Sequence, residues 1–159
     1  MTNKWSRLFD NTEDLNQIIK NLSNDCVIVY TYGAWDLFHP GHVNFLTRAR
    51  SLGDFLIVGV VSDKPIKKLK GSDRPIQPQN ERIITVGSMR CVDAAILQTE
   101  YDPSNELRSL CRVDILTKGD DWDYIPGEET IVGLGGKLVK FSYTKGFSTS
   151  KTVLSLGGK

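Results

Sequence analysis

Two histidines are the residues of this sequence best suited to chemistry. His39 and His42 are the only histidines, and both lie in YTYGAWDLFHPGHVNFL, residues 30–46. At the start of a helix, imidazoles can donate to phosphate oxygens, and the free N–H groups there also favour anions. An isolated pair at this spacing is more often a loop residue and a surface residue. Zinc is a poorer candidate, because no third histidine or cysteine lies nearby.

The elements that position these histidines alternate between strands and helices. Apolar β-rich runs predict strands at 26–32, 55–61, 94–97, 114–117 and 137–141. Helical spacing of apolar residues predicts helices at 12–22, 41–52, 79–90, 106–111 and 148–156. This alternation predicts right-handed βαβ units and a parallel sheet covered on both faces. Ligands of such sheets bind beyond the carboxyl ends of the strands, where the histidine segment falls.

Composition indicates one ordinary domain. A chain of 159 residues with 40% hydrophobic residues can form its own core, so we expect one domain over 1–159 that includes a polar lead-in at 1–11. The net charge of +1 argues against nucleic-acid and membrane-surface partners. Neither a span of roughly 18 apolar residues nor a signal-peptide core is visible, so we expect a cytoplasmic protein. Cys26, Cys91 and Cys111 lack metal-type spacing and are expected to be reduced core thiols.

The histidine segment resembles the signature of the cytidylyltransferase-like nucleotidyltransferase superfamily, G-x-[FW]-D-x-x-H-x-G-H. The matching residues are Gly33, Trp35, Asp36, His39, Gly41 and His42. The resemblance implies one nucleotidyltransferase domain with an α/β, Rossmann-like doubly wound sheet of about five parallel strands and helices on both faces. It implies that a phosphorylated small molecule displaces pyrophosphate from a nucleoside triphosphate. His39 and His42 would be catalytic, and the nucleotide contacts would include Gly33, Ala34 and Trp35.

A basic segment follows the second predicted strand. VSDKPIKKLKGSDRP (61–75) resembles a family motif, and between Lys64 and Arg74 five basic residues face one acid, Asp73. Alone, the run could be a solvated loop. The resemblance instead implies a mobile loop that closes over two phosphorylated ligands, with Lys70 catalytic. QNER (79–82) and MRCVDAAI (89–96) match two further motifs, and the predicted substrate-binding residues are Asp36, Lys68, Arg74 and Arg90.

Two later segments are predicted to bind the nucleotide. TKGDDW (117–122) resembles a family loop whose acids can hold a ribose or a base edge, although a solvated turn remains an alternative. KGFSTS (145–150) has the form of a helix start, and its three successive hydroxyls exceed what a plain cap needs. They suit the β- and γ-phosphates. The predicted contacts are Lys118, Gly119, Asp120, Asp121, Gly146, Phe147, Ser148, Thr149 and Ser150.

Resemblances to individual families of the superfamily indicate the base and the acceptor. The adenylyltransferase family of bacterial heptose biosynthesis shares L-K-G-x-x-R-P, R-C-V-D and a Gly-Gly pair like that in GEETIVGLGGKLVKF, residues 127–141. Cytidylyltransferases of glycerol phosphate or ethanolamine phosphate carry an arginine where this chain has Tyr143, but KGDDW resembles their form more closely. We therefore predict a heptose 1-phosphate adenylyltransferase that uses ATP. A cytidylyltransferase of a polyol or amino-alcohol phosphate and a nucleotide-binding module without catalysis are the alternatives.

Two further expectations follow from the resemblance. Mg²⁺ should bridge the triphosphate, with Asp36 at most an outer-shell partner and no metal site made by the protein itself. Because members of the family are commonly dimers, we expect a homodimer.

Overall fold

The computed structural model describes residues 7–142 and 153–155. Its strands are β1 (Leu8–Phe9), β2 (Ile28–Gly33), β3 (Phe55–Val61), β4 (Ala94–Gln98), β5 (Ile115–Gly119) and β6 (Lys137–Phe141). Its helices are α1 (Thr12–Asn21), α2 (Pro40–Arg50), α3 (Asp63–Lys70), α4 (Gln79–Gly87), α5 (Ser104–Ser109) and α6 (Glu128–Gly133). Residues 153–155 are also helical. The strands form one parallel sheet in the order β1-β4-β3-β2-β5-β6.

Strands β2 and β3 lie at the centre of the sheet. Every residue of β2 is buried, and so is every residue of β3 after Phe55. A strand covered on both faces needs such an unbroken apolar run. The two strands pair from Ile28 opposite Phe55 to Gly33 opposite Val60, so their carboxyl ends reach the same edge.

Helices cover both faces of this sheet, which confirms the predicted α/β fold. On one face α1, α5 and α6 contribute buried residues, among them Leu15 and Leu107. On the other face α2 and α4 contribute Leu46 and Val86, which are fully buried.

The order of the strands reverses between β2 and β5. From β2 the chain proceeds outward through β3 and β4, whereas β5 and β6 lie on the other side. In open α/β sheets the crevice at such a reversal, beyond the carboxyl ends of the strands, is where ligands bind. The histidine segment follows β2 and the KGDDW segment contains the end of β5, so both border this crevice.

The structure corrects four expectations. The sheet has six strands rather than five, because Leu8 and Phe9 of the predicted lead-in pair with Ala95 and Ile96; two residues are too few to show a period. Within the predicted basic loop, residues 63–70 form helix α3, whose only buried residue, Ile66, gives a faint pattern. The sequence predicts no helix within GEETIVGLGGKLVKF (127–141), yet Glu128–Gly133 forms α6. All three cysteines are free, but Cys111 is exposed rather than in the core, since it follows the end of α5.

The predicted helix at 148–156 lies outside the described residues except for 153–155. In the described parts of the chain, no helix is long and apolar enough to cross a membrane.

Candidate active site

The histidine segment begins with a sharp turn at the end of β2. Trp35 and Leu37 have φ values of 54° and 45°, in the left-handed region that non-glycine residues seldom adopt. The Trp35 indole Nε1 donates to the carbonyl of Gly59 at 3.0 Å, and the Leu37 N–H donates to the Gln77 amide oxygen at 2.9 Å. A Cβ on Gly33 would lie 3.1 Å from the Trp35 ring. These contacts hold a turn that the residue types themselves disfavour.

His39 and His42 begin helix α2 by capping each other. The Nδ1 atom of His39 accepts a hydrogen bond from the N–H of Gly41 at 3.1 Å, and Nδ1 of His42 accepts one from the N–H of His39 at 3.3 Å. The two rings stack with their centroids 3.8 Å apart and an interplanar angle of 21°. Because each Nδ1 accepts, a neutral ring carries its proton on Nε2. Both imidazoles are thus set to donate from Nε2.

Burial keeps both imidazoles neutral. It lowers the pKa of His42 to about 3, and the neighbouring His39 and Lys70 lower it further while Asp36 opposes them. Burial also lowers the pKa of His39. At neutral pH the pair therefore acts through hydrogen-bond donation rather than through positive charge.

Asp36 fixes the segment that follows α3. Its carboxylate, 2% exposed, accepts hydrogen bonds from the backbone N–H groups of Ile76 and Gln77, both at 2.9 Å. It also forms an ion pair with Arg74 at 3.3 Å. Asp36 therefore positions this segment beside the histidine turn, and the predicted contacts of Asp36 and Arg74 with substrate stay predictions.

Lys70 lies near the histidine pair. The Lys70 charge acts on His42. Burial lowers the pKa of Lys70, and the Arg74 charge lowers it further, while Asp36 and Asp121 oppose this shift. Because the Asp121 charge acts on Lys70, the end of α3 lies near the segment that follows β5. An anion bound among these groups would favour the charged form of the lysine.

Lys118 is held by the backbone and two aromatic rings. Its Nζ donates to the carbonyl of Tyr32 at 2.7 Å and lies 4.0 Å from the centroid of the Tyr32 ring and 5.8 Å from that of Tyr101. Burial lowers the pKa of Lys118 to about 7, Asp121 opposes this shift and Lys70 adds to it. The lysine is therefore partly charged at neutral pH, beside the crevice between β2 and β5.

Comparison with known proteins identifies the family. A family model described as "Cytidylyltransferase-like" matches residues 30–152, a range that contains both histidines and both lysines. The chain belongs to this cytidylyltransferase-like family. It is accordingly a nucleotidyltransferase.

Curated relatives of this cytidylyltransferase-like chain carry the name "Bifunctional protein HldE". The protein from Nitrobacter hamburgensis is 33% identical over 156 residues, which cover 96% of this chain and 32% of the relative. The protein from Nitratiruptor sp. is 42% identical over 127 residues, which cover 79% of this chain and 27% of the relative. The chain thus spans about a third or less of the length of these relatives.

Solved structures of other proteins have a fold similar to that of this chain. A lipopolysaccharide core biosynthesis protein from Thermoplasma volcanium is 29% identical, with a TM-score of 0.64 and coverage of 76% of this chain and 99% of that chain. A pantoate-beta-alanine ligase from Francisella tularensis is 15% identical, with a TM-score of 0.62 and coverage of 87% and 67%. At that identity the second similarity shows the fold alone.

Most of the predicted site residues within the described ranges of this cytidylyltransferase-like chain lie at the carboxyl edge of the sheet. They are Gly33, Ala34, Trp35, Asp36, His39, His42, Lys68, Lys70, Arg74, Lys118, Gly119, Asp120 and Asp121. Arg90 is different, because it precedes β4 and is exposed at the opposite edge. The Arg90 motif leads into the start of β4, whereas ligands of such sheets bind beyond the ends of the strands. The predicted contacts Gly146, Phe147, Ser148, Thr149 and Ser150 lie outside the described residues.

Arg82 is the site-supporting residue whose role sequence reasoning missed. Its guanidinium is fully buried, donates to the carbonyls of Ala34, Val61 and Gln77, and forms an ion pair with Asp63 at 2.7 Å. It thereby ties the ends of β2 and β3 to the start of α3. The QNER motif marked this arginine, but charged residues are seldom fully buried, so composition argued against this role.

A metal site made by the protein itself is not seen in the described ranges. There, no group of three or more His, Cys, Asp or Glu side chains is arranged to hold a metal ion.

Proposed function

We propose that this chain joins the α-phosphate of ATP to a heptose 1-phosphate and releases pyrophosphate. The observation that carries the proposal is the stacked His39–His42 pair, neutral and protonated on Nε2, at the start of α2 beside the strand-order reversal. Two imidazole Nε2–H donors suit a phosphate chain, whereas the backbone N–H groups of Gly41, His42 and Val43 already donate to His39.

The reaction needs little covalent chemistry from the protein. An oxygen of the acceptor phosphate attacks the α-phosphorus in line, and the bond from that phosphorus to the oxygen bridging to the β-phosphate breaks. The bridging oxygen leaves on pyrophosphate, and no covalent enzyme intermediate forms. The catalytic task is therefore positioning and the stabilisation of negative charge.

The side chains of the crevice divide this task. His39 and His42 donate from Nε2 to oxygens of the α- and β-phosphates as charge builds on them. Lys70 adds positive charge from the end of α3, and Lys118 adds it from β5. Mg²⁺ enters as part of the substrate, bound to the triphosphate.

The choice of ATP and a sugar phosphate rests on sequence motifs and on similar proteins rather than on the geometry of the site. The L-K-G-x-x-R-P and R-C-V-D segments and Tyr143 in place of an arginine follow the heptose-type adenylyltransferases. The curated relatives named HldE and the Thermoplasma protein of lipopolysaccharide core biosynthesis are consistent with this choice. We further propose that the enzyme acts in the cytoplasm as a homodimer.

A second candidate is a CTP-dependent cytidylyltransferase of a polyol or amino-alcohol phosphate. The KGDDW segment favours it, because this form resembles that of glycerol-phosphate cytidylyltransferases.

A matrix of substrates tests both candidates. ATP, CTP, GTP and UTP would each be combined with heptose 1-phosphates, glycerol 3-phosphate and phosphoethanolamine, and pyrophosphate release would be followed. We expect the highest kcat/KM for ATP with a heptose 1-phosphate. Turnover of CTP with glycerol 3-phosphate or phosphoethanolamine instead would establish the second candidate. Pyrophosphate release from none of the pairs would reject both.

A further inference from the structure

A cavity of about 560 Å³ opens between α3 and the segment that follows β4. The lining residues that matter here are Lys68 and Leu69 from α3 and Glu100, Tyr101, Asp102 and Asn105 beyond β4. Its volume falls within the roughly 300–1,000 Å³ typical of small-molecule sites.

The position of the cavity points to the acceptor rather than to the nucleotide. The TKGDDW segment, which is predicted to bind the nucleotide, contains the end of β5, on one side of the histidine turn. The cavity lies beyond β3 and β4, on the other side, and borders the TKGDDW segment where its Tyr101 ring stacks on Trp122. In an in-line displacement the attacking oxygen and the leaving oxygen lie on opposite sides of the phosphorus. The cavity therefore occupies the side from which an acceptor can approach.

The lining chemistry suits a ligand that carries hydroxyl groups. Glu100 is an exposed carboxylate without a hydrogen-bond partner among the residues that the structure describes. The neighbouring Asp102 already accepts from the N–H and the hydroxyl of Ser104. Carboxylate oxygens accept hydrogen bonds from hydroxyls, and the amide of Asn105 both donates and accepts. The Tyr101 ring adds an apolar face against which the C–H face of a sugar ring can pack.

Charge determines which way such a ligand lies. Glu100 and Asp102 repel a phosphate, whereas Lys68 attracts one and Lys70 lies two residues further along α3, near His42. The acceptor phosphate is therefore directed to the lysine end of the cavity, and the hydroxyls to the Glu100 end.

Buried side chains hold the Glu100–Tyr101 segment in place. Gln98, fully buried, donates from Nε2 to the carbonyls of Glu100 and Tyr101 at 2.9 and 3.0 Å, and its Oε1 accepts from the Tyr30 hydroxyl at 2.9 Å. The Tyr101 ring also stacks on Trp122, with the centroids 5.6 Å apart. A segment fixed in this way loses little freedom when a ligand binds, which favours affinity.

We propose that this cavity is the subsite for the polyhydroxylated part of the acceptor, with Glu100 and Asn105 bound to its hydroxyls and Tyr101 against its ring. This inference rests on the proposed sugar-phosphate transfer and names the residues that select the sugar.

Kinetics of the full chain with two surface variants test the subsite. Glu100→Ala and Asn105→Ala change exposed side chains, so folding should be unaffected, as an unchanged Tm would show. With a heptose 1-phosphate, each variant should raise the KM for the acceptor about tenfold. The KM for ATP should stay within about twofold of the unmodified chain. Glu129→Ala, at an exposed glutamate of α6 outside the cavity lining, is the matched control.

The outcomes separate the subsite from the function on which it rests. An unmodified chain that turns over the sugar phosphate, with both variants unchanged in acceptor KM, would overturn the subsite and leave the function intact. Equal rises in the KM for ATP and for acceptor would also overturn it, because they indicate a general structural effect. If phosphoethanolamine were the better acceptor and Glu100→Ala weakened it most, the assignment to a sugar would be wrong. No pyrophosphate release with any sugar phosphate would overturn the function and the subsite together.

Discussion

The backbone N–H of His39 donates to Nδ1 of His42, and the two rings stack 3.8 Å apart. The three-residue spacing of the pair is the spacing of a capping box, in which the N-cap and N3 side chains satisfy each other's backbone N–H groups. The hydrogen bonds that begin α2 therefore also select the tautomer that leaves the proton on Nε2. The two histidines therefore lie in one turn because together they cap the helix and provide two hydrogen-bond donors.

Loss of His42 should impair turnover far more than folding. His42→Ala removes one donor to the triphosphate, and such losses typically cost about 10²–10³ in turnover, roughly 3–4 kcal/mol. The lost capping contact should cost only about 1 kcal/mol of unfolding free energy. Steady-state pyrophosphate release and urea unfolding measure the two effects. Val43→Ala, at an exposed position of α2, is the control, and near-normal turnover of the histidine variant would remove the role given to His42.

The neutral state of His42 predicts a pH dependence of stability. In the unfolded chain this histidine should titrate near its ordinary pKa of 6.5, whereas burial lowers its pKa to about 3 in the folded protein. Between these values the unfolded state binds more protons, so the free energy of unfolding should fall as the pH is lowered from 6.5 towards 3.

Urea unfolding at pH 7 and pH 5 measures this dependence. The chain with His42 should lose more stability over this interval than His42→Asn, which keeps a polar side chain but cannot titrate. Carboxylates and His39 titrate in both proteins, so their effects cancel in the difference. Equal losses would show that His42 is not buried as a neutral ring.

The central strands and the histidine site could be predicted because their signals are local. Strand β3 is one apolar run, and the spacing of His39, Gly41 and His42 lies within a single turn. Local signals fail where a residue's role depends on distant parts of the chain. Arg82 is buried because carbonyls from β2, β3 and the segment after α3 converge on it, and a sequence shows none of these distances.

The acceptor cavity was unpredictable for the same reason. Lys68 and Asn105 are 37 positions apart in the sequence and lie on different elements. The resemblance marked the lysine, but neither motif nor periodicity marked the residues after β4. The substrate contact suggested by the Arg90 motif stays a prediction, because the structure places this residue before β4 rather than at the carboxyl edge.

Lys70 should contribute to both binding and turnover. Lys70→Ala removes a positive charge near His42 that a triphosphate would meet, so the KM for the nucleotide should rise and kcat should fall together. Lys67→Ala, three residues earlier on α3 and exposed, removes the same charge further from the histidine pair and should change either constant by less than about twofold. If both variants behaved alike, the basic helix would act only as a solvated surface.

Position 143 should influence the choice of base. Tyr143 stands where cytidylyltransferases of glycerol phosphate carry an arginine, and it lies outside the described residues. Tyr143→Arg should therefore raise the ratio of kcat/KM for CTP to that for ATP. Tyr143→Phe serves as the control for loss of the hydroxyl. An unchanged ratio in the arginine variant would reject this position as a determinant of the base.

Arg82 should be among the residues most important for stability. Arg82→Met keeps much of the side-chain volume but leaves Asp63 without its partner and the carbonyls of Ala34, Val61 and Gln77 without a donor. Removing one member of a buried ion pair typically costs about 3–5 kcal/mol, and we expect a loss of that size in urea unfolding. Arg90→Met, at an exposed arginine, should cost less than about 0.5 kcal/mol. Asp63→Asn should fall between them, because the Asp63 side chain is 29% exposed and water can reach part of the pair. A loss at Arg82 no larger than that at Arg90 would mean that the ends of β2 and β3 are held by other contacts.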